Sequence, residues 1–219
     1  MKIDKSAVWV FDLDDTLYSE REYQLSGYKY LAMHLQALFQ KDIFQVIERA
    51  DSKGQDVLGQ ICQALSLPNS AKESLLWMYR LHVPSIKLAQ SVRETLDIIQ
   101  EKFPVAIITD GRSISQRNKL LSLGIENIEL LVSEEWNEMK PGKLRFQALE
   151  SRYSESKQFI YVGDNIKKDF ITPNQLGWTT IGIKNDGRNI HPQMISGTAS
   201  LYLPQVWVDS ISNIQDFLC

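Results

Sequence analysis

The clearest pattern along the chain is a set of short apolar runs, each followed by polar or glycine-rich residues. The first run, residues 7–11, reads Ala-Val-Trp-Val-Phe. Such β-favouring runs are typical of strands buried on both faces of a parallel sheet. By the same criterion, strands are predicted at residues 105–108, 128–132, 159–162 and 179–183, with an edge strand at 206–208.

Between these runs, apolar residues recur at the three- and four-residue spacing of helices. A first block of helices is predicted at residues 20–39, 42–50, 55–65 and 70–81. A second group is predicted at residues 91–102, 113–123, 143–152, 168–176 and 212–217. Ser70 with Glu73, and Ser91 with Glu94, have the spacing of capping boxes. Residues 184–204, rich in Gly, Asn, Ser and Pro, are predicted to form a loop.

The order of these elements predicts the architecture. Strands that alternate with helices indicate parallel β-α-β units, so residues 1–18 and 87–219 are expected to form a doubly wound α/β core. Residues 19–86 are expected to form an all-helical domain inserted after the first strand. Such an insert would lie over the carboxyl end of that strand, where it could act as a lid or simply bury apolar surface.

Composition narrows the class of protein. The 219 residues are 43% hydrophobic and 23% charged, with a formal net charge of −3, so nucleic-acid or anionic-membrane binding has no electrostatic support. No apolar run approaches the roughly 18 residues that span a membrane, and the N-terminus lacks the apolar core of a signal peptide. Cys62 and Cys219 have no metal-binding spacing. A cytoplasmic location is expected.

Three acids, Asp12, Asp14 and Asp15, follow the first strand directly. Clustered carboxylates at the end of a buried strand cost several kcal/mol each unless something compensates them. In an open α/β sheet, ligands bind at the carboxyl ends of the strands. We therefore expect Asp12 and Asp14 to hold a hard divalent cation and to carry out chemistry beside it. A solvated acidic turn is the alternative.

The second and third candidate segments supply a hydroxyl and an ammonium group. Thr109-Asp110-Gly111 ends a predicted strand, and its hydroxyl and backbone N–H groups could donate to an anion, although Thr-Asp-Gly is also a common turn. Lys140 lies before a predicted helix, with Lys143 as the other candidate for the same role. A lysine directed at clustered carboxylates would keep them ionised.

The fourth segment, Gly163-Asp164-Asn165-Ile166-Lys167-Lys168-Asp169, links a predicted strand to a predicted helix. Asp164 lies at the strand end, and Asp169 could be an acid at a helix N-terminus, where it favours the helix dipole.

In order and spacing, these four segments resemble motifs I to IV of the haloacid dehalogenase-like superfamily, most of whose members are Mg²⁺-dependent phosphatases. The motif I segment is Asp-Leu-Asp-Asp-Thr, residues 12–16. The helical insert is similar to the superfamily's C1-type cap. The resemblance covers the core, about two thirds of the chain.

The resemblance implies a reaction through an aspartyl-phosphate. Asp12 would be the nucleophile, and Asp14 would protonate the leaving alcohol and then deprotonate water, which requires a raised pKa at Asp14. Mg²⁺ would bind Asp12, Asp164 and the backbone carbonyl of Asp14. The predicted phosphate-binding groups are Thr109, Asp110, Gly111 and Lys140, and the predicted outer-shell residues are Asp169 and Asn165.

The substrate is the least determined part. Family analogy favours a small phosphate ester, and a sugar phosphate over a 5′-nucleotide. A phosphomutase would use the same two acids, and a binding protein with little turnover is the alternative from a different class. Residues near the cap's ends that could contact substrate, or simply pack, are Arg21, Tyr23, Arg80 and His82.

Overall fold

The central strand of the sheet is the first one in the chain. In the computed structural model, which describes residues 2–185, 187, 189, 193 and 197–218, six parallel strands pair in the order β3-β2-β1-β4-β5-β6. The strands are β1 (Val8–Phe11), β2 (Val105–Thr109), β3 (Glu129–Val132), β4 (Phe159–Gly163), β5 (Thr179–Ile183) and β6 (Val206–Val208). The predicted strands and the edge strand are confirmed.

Helices cover both faces of this sheet and form the insert. They are α1 (Glu20–Phe39), α2 (Phe44–Ser52), α3 (Val57–Ala64), α4 (Ala71–Leu81), α5 (Gln90–Gln100), α6 (Ser113–Leu123), α7 (Ser133–Trp136), α8 (Leu144–Arg152) and α9 (Ile171–Gln175). Two 3₁₀ segments follow, Ser200–Tyr202 and Ile211–Phe217.

The alternation of side chains in β1 shows why the fold is doubly wound. Trp9 and Phe11 point to one face, where they join apolar residues of α5, α6 and the last 3₁₀ segment. Val8 and Val10 point to the other face and join residues of α8. Because successive residues of a strand point to opposite faces, a fully apolar strand needs cover on both. The predicted fold class is confirmed.

The inserted helices have an apolar cluster of their own. Leu31 and Leu35 of α1 pack with residues of α2, α3 and α4, including Ile47, Ile61 and Leu75. This cluster is separate from those on the two faces of the sheet. It agrees with an insert spanning about residues 19–86, although those boundaries stay a prediction.

The two predicted capping boxes are wrong, although the helices start within three residues of their predicted positions. Within the described chain, the Ser70 side chain makes no capping hydrogen bond, and α5 starts at Gln90, one residue before Ser91. The first N–H of α6, that of Ser113, donates to the Glu134 carboxylate at 2.7 Å, so this cap comes from α7.

Other differences are small. Helix α7 was not predicted, and α9 is shorter than expected. Glycines follow the ends of α6 and α9, with positive φ values of 64° at Gly124 and 76° at Gly177, which is typical of helix C-termini. Eight of the 21 residues in the predicted loop at 184–204, like Cys219, lie outside the described residues, and the described part contains the 3₁₀ segment Ser200–Tyr202. Within the described part, no helix is long and apolar enough to cross a bilayer.

Candidate active site

The carboxyl ends of three neighbouring strands bring the predicted residues together. Asp12 follows β1, Thr109 ends β2 and Asp164 follows β4, and both other strands pair directly with β1. The chain order reverses between β1 and β4, which is where open α/β sheets bind ligands. Three of the four sequence segments therefore share one site.

A buried lysine lies at the centre of this site. The Lys140 ammonium group is 2.5 Å from Asp12 Oδ1, 2.7 Å from Asp169 Oδ1 and 3.1 Å from the Tyr161 hydroxyl. Burial opposes its charge, but Asp12 and Asp169 raise the pKa of Lys140 well above its usual value. Lys143, the other candidate, is exposed. Lys140 thus carries the charge that compensates these carboxylates.

Three buried acids form a cluster suited to a cation. One carboxylate oxygen each from Asp12, Asp164 and Asp169 lie within 4.8 Å of one another. Burial raises the pKa of Asp12 to about 6, and burial with the charges of Asp169 and Asp12 raises that of Asp164 to about 8. Raised pKa values show that one lysine does not fully compensate the cluster. An all-oxygen donor set whose carboxylates outnumber the one ammonium group fits Mg²⁺.

Asp169 already has partners for both of its oxygens. Besides the Lys140 contact, its Oδ2 accepts the backbone N–H groups of Asp164 at 3.2 Å and Asn165 at 2.8 Å. Asp169 therefore fixes the turn that presents Asp164. This geometry agrees with the predicted supporting position of Asp169 and Asn165.

The pKa of Asp14 differs from the expected one. Its carboxylate accepts two hydrogen bonds from Lys119 Nζ, both at 2.8 Å, and one from the Tyr18 hydroxyl at 2.5 Å. Burial would raise the pKa of Asp14, but Lys119 and these hydrogen bonds hold it below its usual value. The expected raised pKa is therefore wrong for this structure, because a buried lysine that the motifs do not include pairs with the acid.

The loop after β2 is only partly available to a ligand. Thr109 is 1% exposed, and its hydroxyl has no hydrogen-bond partner among the described residues. Gly111 N–H donates to Ser133 Oγ at 2.9 Å, so the expectation that this group is free is wrong. The Asp110 carboxylate is 2.8 Å from the Arg145 guanidinium, which also donates to the Thr109 carbonyl at 2.8 Å.

Two adjoining cavities meet at this loop. A small one of about 80 Å³ is lined by Asp12, Asp14, Asp15, Glu20, Thr109, Asp110, Asp164, Asn165 and Lys168. A larger one of about 670 Å³ lies between the core and the inserted helices and shares Asp14, Glu20 and Asp110 with it. The two cavities therefore adjoin at these three residues, and we call the small one the inner cavity and the larger one the outer cavity.

The structure separates the four candidate residues of the insert. Tyr23 and Arg80 line the larger cavity. Arg21 instead pairs with Asp51, and His82 is 2% exposed with its Nε2 3.2 Å from Ser26 Oγ. Arg21 and His82 are therefore structural residues of the insert.

Sequence reasoning missed Lys119, Gln116, Tyr161 and Arg145. The available signal was a lysine on the apolar face of α6, where Lys119 is 3% exposed between Gln116 and Leu120. A lysine is rarely buried without a partner, but the periodicity cannot identify that partner as Asp14, 105 positions away.

Comparison of this chain with known proteins agrees with the geometry of the site. A family model described as haloacid dehalogenase-like hydrolase matches residues 9–183. The chain belongs to this family of hydrolases, as its four motifs predicted.

Its curated relatives are named as phosphatases. Glyceraldehyde 3-phosphate phosphatase of Methanocaldococcus jannaschii is 25% identical over 189 residues, covering 80% of this chain and 83% of that one. The Methanopyrus kandleri protein of the same name is 32% identical over 85 residues, covering 37% and 36%. The predicted enzyme class, a phosphatase, agrees with both names.

Solved structures share the fold. The magnesium-bound HAD-hydrolase YfnB of Bacillus subtilis is 18% identical, with a TM-score of 0.67 over 98% of this chain and 99% of that one. A predicted phosphoglycolate phosphatase of Haemophilus somnus 129PT is 20% identical, with a TM-score of 0.67 over 99% and 100%. At these identities the likeness establishes the fold alone.

Proposed function

We propose that this protein is a Mg²⁺-dependent phosphatase that hydrolyses a small phosphate monoester, preferably a sugar phosphate, through an aspartyl-phosphate. The observation that carries the proposal is the inner cavity of about 80 Å³, which is lined by Asp12, Thr109 and Asp164. Among the described residues, the buried Thr109 hydroxyl has no hydrogen-bond partner. A buried donor with no protein partner is costly unless a ligand binds it.

The charges of the site suit a phosphate dianion only together with a cation. Mg²⁺, held by Asp12, Asp164 and the backbone carbonyl of Asp14, would supply positive charge that offsets repulsion between the carboxylates and the phosphate. Lys140 holds the Asp12 carboxylate from one side at 2.5 Å and so limits its rotation. A fixed nucleophile needs less reorganisation before it attacks.

The reaction has two steps. An Asp12 oxygen forms a bond to phosphorus while the bond from phosphorus to the ester oxygen breaks, and the leaving oxygen takes a proton from Asp14. Asp14 then accepts a proton from water as that water attacks the aspartyl-phosphate, which releases phosphate and regenerates Asp12. The second step uses the ionised form of Asp14, which Lys119 favours. For the first step, an incoming phosphate dianion would favour the protonated form, because like charges raise a carboxyl pKa.

The outer cavity would accept the alcohol part of the ester. Its volume of about 670 Å³ is within the range of small-molecule sites. Its lining mixes aromatic rings with hydrogen-bonding groups, including Tyr23, Tyr79, Arg80, Ser115 and Asn137. This mixture suits a polyhydroxylated alcohol, and the names of the two curated relatives point to a phosphorylated sugar.

Phosphate release from a panel of sugar phosphates, nucleotides and phosphorylated acids tests the proposal. Wild type with Mg²⁺ is expected to release phosphate, and excess EDTA is expected to stop the release. Asp12→Asn is expected to lose activity by more than about a hundredfold, because an amide is a poor nucleophile.

Asp216→Asn is the matched control, because Asp216 is exposed at the C-terminal end of the chain. It is expected to retain wild-type activity. Turnover by Asp12→Asn at a similar rate to this control, or full wild-type activity in EDTA, would refute the mechanism. Release of nucleotide phosphate alone would refute the preference for sugars.

A further inference from the structure

The side-chain amide of Gln116 is held in one orientation by its neighbours. Gln116 lies on α6 and is 3% exposed. Its Nε2 is 3.1 Å from the Asp110 carbonyl oxygen and 3.5 Å from Asp14 Oδ2. Both of these oxygens are acceptors, so the amide must face them with its nitrogen and not with its oxygen. The Oε1 atom is therefore the part of the amide that remains for another partner.

Gln116 Oε1 finds no such partner within the protein. Among the described residues, no group donates a hydrogen bond to this buried oxygen. Gln116 lines the outer cavity, together with Asp14 and Tyr23. A buried acceptor without a donor costs free energy unless a bound molecule supplies the donor. The outer cavity therefore has a position for a hydrogen-bond donor at Gln116.

The Tyr23 hydroxyl is a second buried polar group in the outer cavity. It belongs to α1 of the insert, and no described residue is its hydrogen-bond partner. The nearby Ser115 hydroxyl donates to the Arg80 carbonyl at 3.0 Å, so it does not donate to Tyr23. Core and insert thus each present one unpartnered polar atom to the same cavity.

The position of these two residues relative to Asp14 determines which part of a substrate they meet. Lys119 Nζ is 2.8 Å from Asp14 Oδ1 and 4.2 Å from the centre of the Tyr23 ring, so Tyr23, like Gln116, lies beside the acid. In the proposed reaction Asp14 gives its proton to the ester oxygen. A substrate group that reaches Gln116 and Tyr23 is therefore close to that oxygen along the alcohol. It must donate to Gln116 Oε1, which a hydroxyl group can do and a carbonyl or carboxylate cannot.

We propose that Gln116 and Tyr23 select esters that carry a hydroxyl group on the carbon next to the ester carbon. This hydroxyl group donates to Gln116 Oε1, and the Tyr23 hydroxyl donates to an oxygen of the same alcohol. The selection rests on the proposed function, because it takes a phosphate ester as the ligand and Asp14 as the acid. It narrows the substrate to phosphate esters of vicinal diols, which include many sugars.

Two esters that differ only in this hydroxyl group test the proposal. They are 2-hydroxypropyl phosphate and propyl phosphate, and kcat/KM is measured for each in the presence of Mg²⁺. Wild type is expected to favour 2-hydroxypropyl phosphate by roughly 10- to 100-fold, the usual effect of leaving a buried polar group unpaired. Gln116→Met removes the acceptor at similar side-chain length. It is expected to lower kcat/KM for 2-hydroxypropyl phosphate and not for propyl phosphate, so that the preference is lost.

Tyr23→Phe is a second variant that removes only a hydroxyl group and keeps the ring beside Lys119. It is also expected to reduce the preference, and it decides the question if thermal unfolding shows that Gln116→Met is not folded. Ser122→Ala is the matched control. Ser122 also has a buried, unpartnered hydroxyl on α6 among the described residues, but it does not line the outer cavity. This control is expected to keep the wild-type preference.

The pair of esters separates recognition of the hydroxyl group from general damage to the site. Equal kcat/KM values of wild type for the two esters would overturn the selection and leave the phosphatase in place. An equal fall with both esters in folded Gln116→Met and in Tyr23→Phe, or loss of the preference in Ser122→Ala, would also overturn it.

The proposed function can fail separately. If wild type hydrolyses neither ester, binding of the two esters to wild type is compared by titration calorimetry. Tighter binding of 2-hydroxypropyl phosphate, reduced in Gln116→Met, would then refute the phosphatase and leave the recognition of the hydroxyl group in place. Equal binding of the two esters, or binding of neither, would overturn both.

Discussion

Replacing Lys140 by methionine tests whether its charge holds the site together. Methionine has a similar length and no charge, so the variant leaves Asp12 and Asp169 buried without their common cation. The side chains of Lys140 and Asp169 are 0% exposed, and that of Asp12 is 7% exposed. Breaking one buried ion pair costs about 3–5 kcal/mol. Because two carboxylates lose a partner here, we expect a loss in the upper part of that range.

The loss should depend on pH in a defined direction. With Lys140 present, burial still raises the pKa of Asp12 to about 6, and removing the cation raises it further. At pH 5 the buried carboxyl groups of the variant can bind protons and become neutral. At pH 8 the protonation of these groups costs more free energy. The stability difference between wild type and Lys140→Met is therefore expected to be larger at pH 8 than at pH 5.

Urea unfolding at both pH values, in EDTA so that metal binding does not contribute, measures this difference. Lys143→Met is the matched control, because Lys143 is exposed three residues away and should change stability by less than about 0.5 kcal/mol. The combined variant Asp12→Asn, Lys140→Met, Asp169→Asn should recover much of the loss, since no charge is left unpaired. A loss no larger than that of Lys143→Met, or one that is the same at both pH values, would refute the reasoning.

Three further predictions concern the same site and the sheet. Without Mg²⁺, thermal stability should fall as pH rises from about 4 to 8, because the raised pKa values of Asp12 (about 6) and Asp164 (about 8) favour their protonated forms in the folded state. Mg²⁺ should stabilise the protein most at the upper end of this pH range. A flat stability profile in EDTA would contradict this prediction. Tyr161→Phe removes a hydroxyl 3.1 Å from Lys140 and should cost about 1 kcal/mol in urea unfolding, with no change expected if the contact is absent. Gly182→Ala should cost about 1–3 kcal/mol, because a methyl group there would clash with proline and tryptophan side chains at the sheet edge; a wild-type melting temperature would show that the edge can move.

Local patterns of apolar residues predicted much of the architecture. The six strands, including β3 and β6 at the two edges of the sheet, follow from apolar runs, because a parallel sheet covered on both faces favours apolar residues. The groups that cap the helices were less predictable. In α6, the Ser113 N–H is capped by Glu134, a residue that no window around the helix contains.

The roles of the glycines were only partly predictable from the sequence. Gly124 and Gly177 end their helices with positive φ, as their place in the sequence predicts. Gly111 also has an unusual backbone, with φ of 148°, but its N–H is bound by Ser133 from another segment. Local sequence therefore indicates where these helices end, but it does not show whether a backbone donor is free.

The sequence by itself determined the family, the fold class and the grouping of Asp12, Thr109, Lys140 and Asp164. Each of these residues lies at or near the end of a predicted element, and parallel topology brings strand ends to one edge. Only the tertiary structure decided how the charges pair. Lys119 reaches Asp14 across 105 positions, and Lys140 reaches Asp12 across 128. Electrostatic compensation depends on distance and burial in space, which periodicity and motif spacing do not contain.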